Sequence, residues 1–247
     1  MSDAQDTIPQ LSDLQIKIFS DGADLDSIFA AYEEGIVRGF TTNPTLMAKA
    51  GITNYLRFAR EVLRVVQDLP VSFEVFADDI EEMRRQAHIL AELGQNVYVK
   101  IPVTNTKAES CASLVRGLAA AGLKLNITAL FTESQTQAIA EALNPDVPAI
   151  VSVFAGRIAD SGRNPIPYME RALTILKPLP QAELLWASPR EMLNIIQAND
   201  MGCHIITVTP DLLKKAASLG KDLNTFSLET VKMFYEDARR SGFSIQP

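Results

Sequence analysis

Hydrophobic and polar residues alternate with a period of two in short runs along this chain. The clearest run is Val97-Tyr98-Val99-Lys100-Ile101-Pro102-Val103-Thr104. Val97, Val99, Ile101 and Val103 share one face of a strand, β-branched and suited to lie under helices. Tyr98, Lys100 and Pro102 share the other face, which aims Lys100 into whatever the sheet encloses. Similar strands are predicted at Ile16–Ser20, Val37–Thr42, Val71–Phe76, Leu123–Thr128, Ala149–Phe154, Leu184–Ala187 and His204–Val208. Between them lie helical patterns: Asp24 to Glu34, Pro44 to Ala50, a helix after Thr53, Asp78 or Asp79 to Leu93, Ala108–Ala120, Glu133–Leu143, Ile166–Leu176 and Pro189–Gln197. Helices near Asp211–Leu219 and Ser227–Arg239 follow the last strand. Asp24 is a capping residue, and Pro44 suits a first helical position.

Eight strands alternating with helices imply a parallel sheet. Eight such units in about 250 residues fit a closed (β/α)8 TIM barrel of the α/β class, with a doubly wound open sheet as the alternative. No linker or low-complexity segment divides the chain, so residues 1–247 are expected to form one barrel domain. A polar N-terminal tail (1–14) and a C-terminal helix (227–239) flank it.

The period-two rule also sorts the inward faces. Ser72 and Glu74 lie opposite Val71, Phe73 and Val75. Lys124, Asn126 and Thr128 lie opposite Leu123, Leu125 and Ile127. Ile150, Ser152 and Phe154 share a face, and Phe19 and Asp21 lie opposite Ile16 and Ile18. Barrel active sites lie at the C-terminal ends of the strands. The expected pocket therefore holds Asp21, Glu74, Lys100, Asn126, Thr128 and Ser152. A desolvated lysine attacks carbonyls, a carboxylate moves protons, and hydroxyls and amides hold a polyol. The competing reading is a polar layer that plugs the barrel, with Lys100 paired to Glu74 or Asp21. Arg157 just past the sixth strand, and Ser188 and Arg190 past the seventh, form a candidate anion site.

Composition changes the picture only by exclusion. The 247 residues are 47% hydrophobic and 21% charged, with a net charge of -7. That balance argues against a general binder of nucleic acid or anionic membrane. No apolar run approaches the roughly 18 residues of a membrane helix, and the N-terminus lacks a signal-peptide core. Cys111 and Cys203 have no metal-site or disulfide-scaffold spacing, nor do His88 and His204. No nucleotide-binding or metalloprotease motif occurs. The expectation is a cytoplasmic protein with no cofactor and no metal.

Six segments together carry a resemblance: Ser20-Asp21-Gly22-Ala23-Asp24, Thr41-Thr42-Asn43-Pro44, Val99-Lys100-Ile101-Pro102, Leu125-Asn126-Ile127-Thr128, Ser152-Val153-Phe154-Ala155-Gly156-Arg157 and Ala187-Ser188-Pro189-Arg190. In this order, one per strand end, the chain resembles the transaldolase family, particularly its small subgroup. The resemblance implies a barrel of class I aldolase type with Lys100 as the Schiff-base lysine. It implies Asp21 as the acid/base at the C4 hydroxyl, and Glu74 and Thr128 around a proton-relaying water. Asn43, Asn126 and Ser152 are implied to bind substrate hydroxyls, and Arg157, Ser188 and Arg190 the phosphate. The implied reaction transfers a dihydroxyacetone unit from sedoheptulose 7-phosphate or fructose 6-phosphate to an aldose phosphate, as in the pentose phosphate pathway.

A sister group, the fructose-6-phosphate aldolases, releases dihydroxyacetone. It carries glutamine where Glu74 stands and tyrosine where Phe154 stands, which favours transfer here. Phe154 cannot donate a proton to the carbanion. Release, a sulfonated sugar as substrate, and a non-catalytic sugar-phosphate-binding barrel are the alternatives. Gly22 stands where the family pattern has threonine, and Pro189 lies inside the anion motif. The subgroup's habit of forming rings implies a homo-oligomer in which the C-terminal helix reaches a neighbour.

Overall fold

The computed structural model of the protein describes residues 9–245. Its strands are β1 (Lys17–Asp21), β2 (Phe40–Thr41), β3 (Val71–Glu74), β4 (Val97–Pro102), β5 (Leu125–Leu130), β6 (Ala149–Val153), β7 (Ala182–Trp186) and β8 (Ile205–Val208). All pair in parallel and in sequence order, and β8 closes on β1. The helices are α1 (Leu25–Glu34), α2 (Pro44–Lys49), α3 (Tyr55–Val65), α4 (Ile80–Ala91), α5 (Ala112–Ala120), α6 (Glu133–Ala140), α7 (Ala155–Asp160), α8 (Ile166–Leu176), α9 (Leu193–Asp200), α10 (Pro210–Lys214) and α11 (Leu223–Arg240). This is the expected (β/α)8 barrel.

Two apolar layers hold it. Val71, Phe73, Val99, Ile101, Leu125, Ile127 and Val151 point outward and are buried under the helices. Inside the barrel, Phe19, Ile150, Leu185, Ala187 and Ile205 form a second cluster, with Tyr98 and Phe154 packed on it. This inner cluster closes the lower barrel and leaves polar side chains at the C-terminal mouth.

Several boundaries differ from the sequence expectation, each for a local reason. β2 has only two ladder residues, and just before it the chain at Gly39 passes the Phe19 ring so closely that a Cβ would sit 2.5 Å from it. β3 stops at Glu74, where the Tyr55 hydroxyl accepts from Glu74 N–H (2.7 Å) and donates to its carbonyl (3.0 Å). β4 ends at Pro102. The chain then forms a Thr104–Ser110 bridge, with Ala108 at φ 62° and the Asn105 side chain accepting from Lys107 and Glu109, so α5 starts at Ala112.

β5 continues past Thr128 through a bulge with Ala129 at φ 62°, which turns Leu130 outward. β6 ends at Val153, and the segment after Phe154, for which no element was expected, forms the short helix α7. Residues 189–192 precede α9, because the Asn194 side chain accepts from the N–H groups of Arg190 and Glu191. α10 gives way to a 3-10 turn over Lys215–Ser218. α11 begins four residues earlier than expected, capped by Asp222. Of the expected tail, residues 1–8 lie outside the described residues, and Leu11–Asp13 form a 3-10 turn. Among the described residues no helix is long and apolar enough to cross a membrane.

Candidate active site

A cavity of about 490 Å³ opens at the C-terminal mouth of the barrel. Strand register decides which side chains meet there. Glu74 on β3 pairs with Lys100 on β4, and Lys100 with Asn126 on β5. The three inward side chains therefore stand side by side. The end of β1 adds Asp21, β6 adds Ser152, α7 adds Arg157, and the segments after β2, β6 and β7 add Asn43, Phe154, Ser188 and Arg190. Ten of the eleven residues expected from the sequence thus line one cavity.

Thr128 is the exception. It lies one pleat beyond Asn126, 3% exposed and outside the lining, and its Oγ1 is buried with no protein hydrogen-bond partner. Lys124, on the same face, lies at the opposite end of the barrel, where its Nζ donates to the Gln95 carbonyl.

Lys100 is 7% exposed. Its Nζ donates to the Thr42 carbonyl at 3.0 Å and stands 3.4 Å from Glu74 Oε2. A buried ammonium requires such partners. The ion pair of the competing reading is thus present, and it borders an open cavity rather than a filled plug. Asp21 Oδ1 accepts from Thr41 Oγ1 at 2.8 Å, and Asn43 Nδ2 donates to Oδ2 at 3.4 Å. Burial at the strand ends pushes the Asp21 carboxyl above its ordinary pKa, against the pull of the Lys100 charge and these two hydrogen bonds. Ser152 Oγ donates to Asn126 Oδ1 at 2.7 Å, and Asn126 Nδ2 donates to Ser72 Oγ at 2.9 Å. This chain fixes which side of the Asn126 amide faces each neighbour.

The expected anion end is held by a close backbone contact. Gly156 in α7 packs against the Ser188 carbonyl so tightly that a Cβ would lie 1.5 Å from it, and Ser188 itself adopts φ 63°. The contact holds the loops after β6 and β7 together. The Arg157 guanidinium lies 5.2 Å above the Phe154 ring. Arg190 is held by Asp160, its Nε 3.0 Å from Oδ1 and its other nitrogen on Oδ2. Arg190 is therefore oriented, but Asp160 matches part of its charge.

Sequence reasoning missed Thr41, Lys49 and Thr207 on the cavity wall. The period-two rule, extended to the second and last strands, reaches both threonines; Lys49 is visible only once α2 is folded over the mouth. Among the described residues no group of three His, Cys, Asp or Glu is placed to hold a metal ion. His204 Nδ1 accepts from Leu184 N–H, away from the cavity.

A parallel barrel with a carboxylate-flanked lysine at its mouth is an arrangement many enzymes share. Comparison with known proteins narrows it. The Transaldolase/Fructose-6-phosphate aldolase family matches residues 18–246. A protein named probable transaldolase from Thermoanaerobacter sp. is 33% identical over 231 residues, covering 93% of this chain and 100% of the relative. One of the same name from Chelativorans sp. is 34% identical over 200 residues, covering 81% and 88%. Among solved structures, a dihydrodipicolinate synthase family protein from Coccidioides immitis superposes with TM-score 0.61 at 15% identity, covering 98% of this chain and 81% of that one. 2,3-Dimethylmalate lyase superposes with TM-score 0.53 at 13% identity, covering 94% and 86%. These two likenesses show the fold alone. The chain belongs to the transaldolase/fructose-6-phosphate aldolase family.

Proposed function

We propose that the protein is a transaldolase that moves a dihydroxyacetone unit between sugar phosphates through an imine on Lys100. The observation that carries the reading is the placement of Lys100: 7% exposed, 3.4 Å from Glu74, and lining the same cavity as Asp21. Glu74 takes the proton that leaves Lys100 Nζ, and the free amine attacks the C2 ketone of the donor. Loss of water gives the imine, with Glu74 returning a proton to the departing hydroxyl and Thr128 Oγ1 supporting the relay.

Asp21 then accepts the C4 hydroxyl proton as the C3–C4 bond breaks. The aldose phosphate leaves, and the bond's electron pair remains on the Lys100-bound three-carbon unit as an enamine. Its C3 attacks the aldehyde of an acceptor, Asp21 returns its proton to the new C4 oxygen, and hydrolysis frees Lys100. Asn43, Asn126 and Ser152 hold hydroxyls of the donor, and Arg157 with Ser188 and Arg190 receives its phosphate. Phe154 presents a ring with no acidic proton near this position, so the enamine waits for an aldehyde.

The reading carries with it a cytoplasmic setting in pentose phosphate metabolism and a homo-oligomer. The exposed Leu228, Val231, Phe234 and Tyr235 on α11 support the last of these. Borohydride added with fructose 6-phosphate tests the chemistry. A reduced-donor adduct on Lys100, absent in Lys100→Ala, is expected; no adduct on the wild-type protein would leave only a binding barrel.

A further inference from the structure

Thr207 lies on β8, 6% exposed, with its side chain inside the barrel. Its Oγ1 is 2.6 Å from Thr41 Oγ1, and Thr41 Oγ1 is 2.8 Å from Asp21 Oδ1. The closure of the barrel brings these three together, because β1 pairs with β8 on one side (Phe19 with Thr207) and with β2 on the other (Asp21 with Thr41).

Proton counting fixes the direction of this chain. A hydroxyl has one proton to give, and an ionised carboxylate has none. Thr41 therefore donates to Asp21, and the proton between the two threonines comes from Thr207. We infer that Thr207 is a positioning residue which, acting through Thr41, holds the carboxylate of Asp21 oriented and ionised for the cleavage step. The inference rests on the role proposed above for Asp21.

The order Thr207 to Thr41 to Asp21 favours the charged carboxylate, whose oxygen accepts more strongly than that of a neutral carboxyl. Protonation on Oδ1 would require Thr41 to turn its proton away, and Thr207 in turn to give up its own donation. Donors in series polarise one another, so the outer hydroxyl strengthens the inner bond. The remaining charges around Asp21 are Lys100 on β4, Glu74 on β3, Lys49 on α2, and Arg157 and Arg190 across the mouth, with Asp24 and Asp211 in the adjoining groove. Of these, Lys100 also favours the ionised state. Thr207→Val leaves all of them in place.

The test is the pH profile of kcat/KM for transfer from fructose 6-phosphate, set beside the pH profile of borohydride trapping. Trapping follows imine formation on Lys100, whereas transfer also needs ionised Asp21. Thr207→Val is expected to move the acid limb of transfer upward by about 0.5–1 pH unit and to leave the trapping profile in place. Thr207→Ser is expected to restore the wild-type limb. In a Thr41→Val background, Thr207→Val should add no further shift, since the chain is already cut. Thr207→Ala carries the same expectation and replaces the valine variant if that one does not fold.

An unmoved limb, whether kcat falls or KM rises, would overturn the inference and leave Thr207 as packing or as a substrate contact. Asp21→Asn separates this failure from a wrong reading of the site. The inference expects that variant to trap substrate without turning over, and turnover by Asp21→Asn would overturn both.

Discussion

Gly156→Ala tests how the anion end is assembled. The new Cβ would sit 1.5 Å from the Ser188 carbonyl oxygen and 2.6 Å from its carbon, where contacts under 3.0 Å do not occur. The opposing atoms are backbone, so the chain around Ser188 has to retreat by about 1.5 Å or more. Overpacking of this kind costs about 1–3 kcal/mol, and each kcal/mol lowers Tm by about 2–4 °C in a chain of this size. The retreat also carries Ser188 and Arg190 away from Arg157. A displacement near 1 Å at a charged clamp weakens use of a phosphorylated donor by on the order of tenfold or more. Steady-state kinetics should show this as a raised KM for fructose 6-phosphate. Trapping of unphosphorylated dihydroxyacetone on Lys100 should stay within about twofold of wild type, because Lys100 stands on β4. A variant with wild-type Tm and wild-type KM would refute the reasoning. Loss of trapping along with phosphate use would place the damage at the lysine instead.

Other outcomes follow from the same geometry. Phe154→Tyr puts a phenol beside the reacting carbon and is expected to raise free dihydroxyacetone release in an assay without acceptor; unchanged release would remove the case for Phe154. Asp21→Asn should abolish transfer yet melt higher than wild type at pH 8. The native pKa of Asp21 is raised by burial, so its ionised form costs stability above that pKa, and the gap should close as pH falls through it toward the ordinary 3.8. A constant gap across that range, measured by thermal unfolding, would contradict the assignment. Phe234→Glu on α11 should reduce the assembly seen in sedimentation relative to wild type. A wild-type species of 27.1 kDa would show instead that the exposed face has no partner.

Much of this was legible in the sequence. Period-two alternation placed Glu74, Lys100, Asn126 and Ser152 on inward faces, because a side chain in a parallel strand has only two directions. Arg157, Ser188 and Arg190 were reached from their places just past the sixth and seventh strands, whereas Asn43 needed the family resemblance, since no periodicity governs it. What stayed hidden depends on tertiary contact. The sequence does not show that Asp160 engages Arg190, since these side chains meet only when α7 folds against the loop after β7. It does not show α7 itself, whose six residues include a glycine and are too short for a helical pattern. Thr128 was placed on the inward face, but its buried Oγ1 does not reach the lining of the cavity. The proximity of Thr41 and Thr207 requires the barrel to close, which no local pattern encodes.

The most direct measurement is product analysis with fructose 6-phosphate, with and without erythrose 4-phosphate. Sedoheptulose 7-phosphate is expected only when the acceptor is present, with little free dihydroxyacetone in its absence. Free dihydroxyacetone formed at the same rate without acceptor would contradict that expectation and make the protein an aldolase of the sister group.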